Sequence, residues 1–137
     1  MERFRQARGG SGPPSAHNRT MLRTSQSVDL GFGREPWTTA EWHSRMTTHI
    51  RPDISVLGLE IDQERVAAAA ASEAPGLTFA RGGFEVPTNG RPVHVLRAFN
   101  VLRQYDEQEV LPAWQLMATS LDSQGVLIDG TCDEIGR

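Results

Sequence analysis

Val28-Asp29-Leu30-Gly31-Phe32-Gly33 is the stretch that decides the fold. Its apolar residues predict a short buried strand, and its two glycines end that strand and permit a tight turn. Downstream, residues 54–60 form a second apolar run that ends in Glu60 and is followed by Asp62. A strand, a glycine turn, a helix and a second strand with an acidic end are typical of nucleotide-binding α/β domains.

Apolar periodicity predicts that strands and helices alternate along the whole chain. We expect helices from about 39 to 49, from 63 to about 73 and from about 106 to 121. The predicted strands cover residues 25–30, 54–60, 77–81, 93–99 and 126–131. This alternation implies an α/β fold with a mostly parallel sheet and right-handed crossovers, covered by helices on both faces.

Polar residues predict where the helices begin. Thr38-Thr39-Ala40-Glu41 has the spacing of a capping box, in which Thr38 and Glu41 would satisfy each other's backbone N–H groups. Asp62 is placed to cap the second helix. Asp106 is placed either to begin the third helix or to face a substrate with Tyr105. Residues 122–125 predict the turn that precedes the last strand.

Composition limits the class of protein. With 137 residues, 38% of them hydrophobic, the chain is long enough for one domain with a real core. The net charge of -3 argues against a protein that coats nucleic acid, although all 14 basic residues are Arg. Cys132 is the only cysteine, which excludes a disulfide or a cysteine-based zinc site within one chain and suits a reducing cytoplasm. No apolar run approaches transmembrane length, and the histidines show no metal-ligand spacing, so we expect no membrane span and no metal.

Residues 1–22 are rich in Gly, Ser, Pro and Arg and nearly lack aliphatic side chains. They cannot bury enough apolar surface to offset the entropy lost on ordering, so we predict a flexible basic arm. Such an arm either contacts RNA or a substrate phosphate or is a solvated tail, and the small number of charges favours the tail. The predicted folded domain covers residues 23–137.

The glycine turn and Glu60 are the first candidate site residues. The turn lets a ligand approach the backbone, and the N-terminus of the next helix favours an anionic group. The dinucleotide pattern G-x-G-x-x-G fails because Pro36 occupies its third glycine position, which disfavours NAD. Asp29 would accept from a ligand ammonium or tie the turn, and Glu60 would accept both hydroxyls of a ribose or lie exposed at the strand end.

Four motifs in order resemble those of the class I S-adenosylmethionine-dependent methyltransferases, in a bacterial subgroup of that family. Residues 29–33 (DLGFG) are similar to the first motif, D/E-x-G-x-G, and residues 58–66 to the second. Residues 96–105 stand where the fourth motif falls, and 121–128 resemble the turn that enters the fifth strand. The resemblance implies a Rossmann-like three-layer sandwich with strand order 3-2-1-4-5 and S-adenosyl-L-methionine as the cofactor.

The resemblance also implies a role for each site residue. Glu60 would hold the ribose and Ile61 would lie against the adenine, which Gly83 and Phe84 would flank. Asn100 would lie near the point of methyl transfer, and no general base is assignable. The methionine end of the cofactor would be bordered by the first loop, Asp29, Gly31, Phe32 and Gly33.

The acceptor of the methyl group stays open between a small molecule and an RNA. Members of the family continue to a sixth and a seventh strand, so we expect an incomplete domain whose sheet edge is covered by a second copy or a partner chain. Arg34 and Glu35 are bulky where the family prefers small residues. The alternative function is therefore a degenerate, non-catalytic adenosyl-ligand-binding domain that acts as a fragment or partner subunit.

Overall fold

The computed structural model describes residues 26–131. The predicted arm at 1–22 and Cys132 lie outside the described residues. The strands are β1 (Gln26–Leu30), β2 (Ser55–Glu60), β3 (Leu77–Arg81), β4 (Val93–Phe99) and β5 (Leu121–Gly130). The helices are α1 (Trp37–His49), α2 (Gln63–Ala69) and α3 (Glu107–Ala118), and short 3-10 turns cover Ala70–Ser72 and Leu102–Gln104.

The five strands form one parallel sheet in the order β3-β2-β1-β4-β5. β1 lies at the centre, where Val28 pairs with Leu57 on one side and Leu96 on the other. The predicted fold class and strand order are therefore confirmed. In parallel sheets of this kind ligands bind beyond the carboxyl ends of the strands, and the order reverses between β1 and β4 at that edge.

Apolar residues cover both faces of the sheet, which makes three layers. On one face Val28, Leu59 and Leu96 pack with Met117 of α3, and each of the four is fully buried. The opposite face includes Val56 and Phe79 from the sheet, Met46 from α1 and Ala69 from α2. Burial of each large apolar side chain contributes about 1.5–3 kcal/mol, so the two clusters hold the helices on the sheet.

The predicted capping box at the start of α1 is wrong. The helix begins at Trp37, with Pro36 at the N-cap and no side-chain cap, so Thr38 lies inside the first turn. Proline fixes φ and suits the start of a helix, and here the Pro36 carbonyl accepts from Ala40 N at 3.0 Å. The other two caps are confirmed: Asp62 accepts from the second and third residues of α2, and Asp106 forms a capping box at α3.

The predicted turn at 122–125 is also wrong, because these residues belong to β5. Val93 pairs with Leu121, and Val95 pairs with Val126, so four residues of β5 lie opposite one residue of β4. Such an irregularity bends the strand instead of reversing the chain. A Cβ at Gly125 would lie 2.6 Å from the Val93 carbonyl oxygen, which explains the glycine inside the bulge. Across 26–131 no helix has both the length and the apolar character to cross a membrane.

Candidate functional site

The loops that follow β1 to β4 surround a cavity of about 330 Å³ at the carboxyl edge of the sheet. This volume lies at the lower end of the range of about 300–1,000 Å³ that is typical of small-ligand pockets. The cavity brings together six of the nine residues predicted for the site. Its walls are formed by Leu30, Gly31, Gly33, Glu60, Ile61, Asp62, Arg65, Gly82, Gly83, Phe84, Val101, Gln104 and Tyr105.

The glycine turn forms one wall and requires both of its glycines. Gly31 and Gly33 have φ of +73° and +89°, which other residues adopt only with strain. Gly31 N donates to the Leu59 carbonyl at 2.7 Å, and a Cβ at this position would lie 2.6 Å from Val101 Cγ2. A Cβ at Gly33 would meet no atom within 4 Å. The backbone at Gly33 is therefore open to a group that enters the cavity.

The Glu60 carboxylate is buried and faces this cavity. Its Oε1 accepts from Gly33 N at 3.2 Å and from Arg65 Nη1 at 3.3 Å, and its Oε2 accepts from Asp62 N at 3.0 Å. One side chain thus ties the loop after β1 to the loop after β2. Only 6% of the Glu60 surface is exposed, so its acceptor atoms are sheltered from bulk water.

Apolar side chains form the rest of the wall. Ile61 has 61% of its surface exposed and borders the cavity. The rings of Phe84 and Tyr105 meet edge to face at a centroid distance of 5.3 Å. Glu85 does not line the cavity: its Oε1 accepts from Gly83 N at 3.0 Å and holds the loop. The wall therefore offers flat apolar surface for a ring.

Asp29 lies outside this lining, beneath α1. Its carboxylate accepts from Thr39 Oγ1 at 2.7 Å and from Nε and Nη2 of Arg97, each at 3.1 Å. The guanidinium of Arg97 also lies 4.1 Å from the centroid of the Trp42 ring, a distance typical of a cation–π contact. Asp29 thereby joins β1, β4 and α1, and a direct contact with a ligand stays a prediction.

Phe32 and Asn100 also lie outside the lining. Phe32 packs edge to face on Phe79 at 5.1 Å and belongs to the core. Asn100 has φ of +63°, and its N–H donates to the Gly130 carbonyl at 2.7 Å. It borders a second cavity of about 250 Å³ at the ends of β4 and β5, together with Phe99, Gly130 and Thr131. The roles predicted for both residues remain untested.

The structure adds Arg65, Val101 and Gln104 to the site. Arg65 lies three residues after the cap Asp62, so the first turn of α2 directs it back over the loop, a signal present in the sequence. Val101 and Gln104 border the 3-10 turn at Leu102–Gln104, which apolar periodicity does not reveal because it is too short. Arg34 and Glu35 line a neighbouring groove with Trp37 and Arg65, so they do not crowd the cavity.

The histidines and acidic groups within 26–131 form no cluster of three or more that would bind a metal. His94 is half-buried in β4, and neither ring nitrogen has a hydrogen-bond partner in the described part of the chain. The same is true of His43 Nε2, and burial lowers the pKa of His43 below its usual value of 6.5. Neither side chain lines the cavity.

Solved structures show which fold this is. One structure, of LepI in complex with S-adenosylmethionine, matches with a TM-score of 0.63 and 14% identity over 82% of this chain and 29% of its own. A TehB-like S-adenosylmethionine-dependent methyltransferase from Corynebacterium glutamicum matches with a TM-score of 0.61 and 17% identity over 88% of this chain and 62% of its own. The chain has the class I methyltransferase fold.

The same fold also occurs in an enzyme described by another chemistry. A structure described as a pericyclic reaction enzyme matches with a TM-score of 0.61 and 17% identity over 82% of this chain and 29% of its own. The chain thus spans 29% to 62% of the length of these three solved chains. No protein-family model and no curated protein sequence matches the chain.

Proposed function

We propose that this chain carries the S-adenosylmethionine-binding domain, at residues 23–137, of a methyltransferase. The observation that supports the proposal is the pairing of two features in one cavity: open space over the backbone of Gly33 and the buried carboxylate of Glu60. An adenosyl group needs acceptors for two ribose hydroxyls and an apolar surface for its base. The methyltransferase fold places the ribose acceptors and the apolar surface at the carboxyl edge of the sheet.

The residues present fit this cofactor. Glu60 would accept the ribose hydroxyls, and Ile61, Gly83 and Phe84 would enclose the adenine. The turn from Gly31 to Gly33 would border the methionine end, which would approach over the open backbone of Gly33. Asp29 and Phe32 would act beneath this turn, because Asp29 fixes α1 to the sheet and Phe32 packs the loop on the core.

The cofactor, when bound, supplies a methyl group on a sulfonium, which is reactive without a metal. The chain would contribute alignment of the acceptor and exclusion of water, because positioning alone can supply much of the rate enhancement. The cavity beside Asn100 lies at the end of β4 next to the proposed cofactor site, and we place the acceptor there. Phe99 gives that cavity an aromatic wall, with 45% of its surface exposed.

We propose a small molecule rather than an RNA as the acceptor. Residues 26–131 contain 14 Asp or Glu and 8 Arg, and three of the acids follow one another closely after Tyr105, at Asp106, Glu107 and Glu109. A phosphate backbone approaching the carboxyl edge would meet this negative charge, which the fewer Arg residues within 26–131 do not balance. Of the described residues, those that line the cavity beside Asn100 are all uncharged, which suits a neutral acceptor.

The alternative is a non-catalytic domain that binds an adenosyl ligand. The fold alone does not decide between the two, since it also serves a protein described as a pericyclic reaction enzyme. Calorimetry with S-adenosylmethionine, S-adenosylhomocysteine and NAD separates the readings. We expect micromolar binding of the first two and none of NAD. Binding without methyl transfer to any of a panel of small acceptors favours the alternative, and binding of NAD alone would overturn the cofactor assignment.

A substitution at Glu60 tests the ribose contact directly. Glu60→Ala should weaken S-adenosylmethionine binding by about 1–3 kcal/mol, because two hydroxyls lose their charged acceptor. Glu41→Ala is the matched control, since Glu41 lies exposed on α1, away from the cavity, and forms an ion pair with Arg45. Equal affinities of Glu60→Ala and the control would contradict the assignment.

We also propose that a second copy or a partner chain covers β5 and that the protein works in the cytoplasm. Within 26–131, β5 pairs with β4 on one side and has no strand on the other. Val126 and Ile128 have 50% and 43% of their surface exposed. Sedimentation velocity of the protein alone tests the second copy, and replacement of Val126 by Asp should dissociate it. A monomer at all concentrations would contradict the second copy.

A further inference from the structure

We propose that Arg65 competes with the ligand's ribose for the Glu60 carboxylate and so limits the affinity of the site. The inference rests on the proposed function, because it requires that Glu60 receive the ribose hydroxyls. In the structure Arg65 Nη1 donates to Glu60 Oε1 from inside the cavity wall. An arginine in this position is an internal ligand that must move before the external one binds.

The acceptor capacity of Glu60 carries the argument. A carboxylate offers about four lone-pair sites, two on each oxygen. Within the described residues, Gly33 N and Arg65 Nη1 fill both sites of Oε1, and Asp62 N fills one site of Oε2. One site remains, whereas two ribose hydroxyls need two acceptors. One of the three donors must therefore leave when the ribose binds.

The donor that leaves is Arg65. Gly33 N and Asp62 N are backbone groups: the first is set by the glycine turn, and the second belongs to the residue that caps α2. Arg65 donates from a long side chain that is 39% exposed, and its Nε already lies 3.8 Å from Asp62 Oδ2. The groove on its other side contains Arg34 together with three acidic residues, so a displaced guanidinium meets more acidic than basic neighbours there: Glu35, Asp62 and Glu64.

The size of the effect follows from the exposure of the pair. Ion pairs with one partly exposed partner contribute modestly, and their loss changes an equilibrium by a small factor. We expect Arg65→Met, which keeps the stem and removes the donors, to bind S-adenosylmethionine about two- to five-fold more tightly. Arg65→Lys keeps a cation that reaches Glu60 and should stay close to the wild type.

A double-mutant cycle separates competition from a general effect on the loop. The gain from Arg65→Met should disappear in a Glu60→Ala background, because no carboxylate remains to compete for. Glu60→Gln serves as the second background if the alanine variant does not fold. Arg45→Met is the matched control, since Arg45 forms its ion pair with Glu41 on the surface of α1 and should leave the affinity unchanged.

The measurement is calorimetric titration of each purified variant with S-adenosylmethionine and, in a second series, with adenosine. Adenosine has the ribose but no methionine, so the same gain in both series places the competition at the ribose. An unchanged or weaker affinity of Arg65→Met for S-adenosylmethionine overturns the inference. If the wild-type protein still binds S-adenosylmethionine in that case, the proposed function stands. A gain that persists in the Glu60 variants overturns it as well. Failure of every variant to bind either ligand overturns the proposed function and this inference together.

Discussion

Asp29 and Glu60 are two buried carboxylates near the ends of neighbouring strands, yet the structure uses them differently. Asp29 pairs across the sheet with Gly58, and Glu60 lies two residues beyond Gly58. Because side chains alternate between the two faces of a sheet, Asp29 and Glu60 both lie on the face that α1 and α2 cover. Each accepts three hydrogen bonds. Asp29 is enclosed by the buried Thr39 and the mostly buried Arg97, whereas Glu60 borders a cavity and one of its donors is the more exposed Arg65.

We infer from this comparison that Asp29 is held by the fold, whereas Glu60 is the carboxylate that a ligand reaches. Both oxygens of Asp29 accept from side chains of α1 and β4, and neither of those side chains lines the cavity. Glu60 lies two strand positions further toward the carboxyl edge, where it borders the cavity. We expect this position along the strand to distinguish the two roles, and four substitutions test how sharp that distinction is.

The largest effect is expected at Asp29. Asp29→Ala should lower the free energy of unfolding by about 3–5 kcal/mol, because it leaves the guanidinium of Arg97, only 13% exposed, without its carboxylate. Urea denaturation followed by circular dichroism measures the loss. Asp53→Ala, which breaks the exposed pair with Arg51, is the control and should cost less than about 1 kcal/mol. Similar losses of unfolding free energy in both variants would contradict the structural role of Asp29.

Thr39→Val tests the enclosure of the Asp29 carboxylate from the side of α1. Thr39 is fully buried, and its hydroxyl donates to Asp29 Oδ2 at 2.7 Å. Valine keeps the shape but removes the donor to a charged group, so stability should fall by about 1.5–2 kcal/mol. The change should add little when combined with Asp29→Ala, since both act on one network. Full additivity in urea denaturation would show that the two side chains act independently.

Glu60→Gln should cost less stability than either change, at about 1 kcal/mol. Its donors Gly33 N, Asp62 N and Arg65 lie at a cavity, so water replaces part of what they lose. The variant is measured by the same denaturation, beside its affinity for S-adenosylmethionine. A loss as large as that of Asp29→Ala would mean that Glu60 is as structural as Asp29, and the distinction between the two would fail.

His43 extends the comparison to a partly buried side chain whose Nε2 has no hydrogen-bond partner among the described residues, and its effect is the smallest. Burial lowers the pKa of His43, so as the pH falls below about 6.5 the unfolded chain takes up the proton before the folded one. The free energy of unfolding should therefore fall slightly between pH 7.5 and 5.5. His43→Gln should show a smaller fall over the same range, and equal pH profiles would exclude His43 as the cause.

The sequence predicts the sheet well because the pattern that marks each strand lies within that strand. Each strand of this sheet contains its own apolar run, and β3 and β4 begin and end at the predicted residues. The two errors come from single residues that change the backbone locally. The N-cap of α1 is Pro36, two residues before the predicted cap Thr38. Gly125 allows a bulge where its neighbours predict a turn.

The site is harder to predict because its decisive contacts join distant parts of the chain. The motif indicates that Asp29 and Glu60 matter, but Asp29 meets Arg97 across 68 positions and Gly33 meets Glu60 across 27. Which carboxylate is enclosed depends on those pairings. Arg65 is closer to Glu60 along the chain, yet only the structure shows that its guanidinium occupies the lone pairs of that carboxylate.

Trp37 on the wall of the groove beside Arg65 gives the protein an optical label. Its indole is 71% exposed, whereas Trp42 lies against Arg97 and Trp114 donates to Asp129. The emission of those two rings is set by fixed partners. Under the proposal above, a guanidinium that leaves Glu60 would enter the space that Trp37 borders and would be attracted to the face of its ring. Fluorescence of Trp37, the most exposed of the three tryptophans, would thus follow an event inside the cavity.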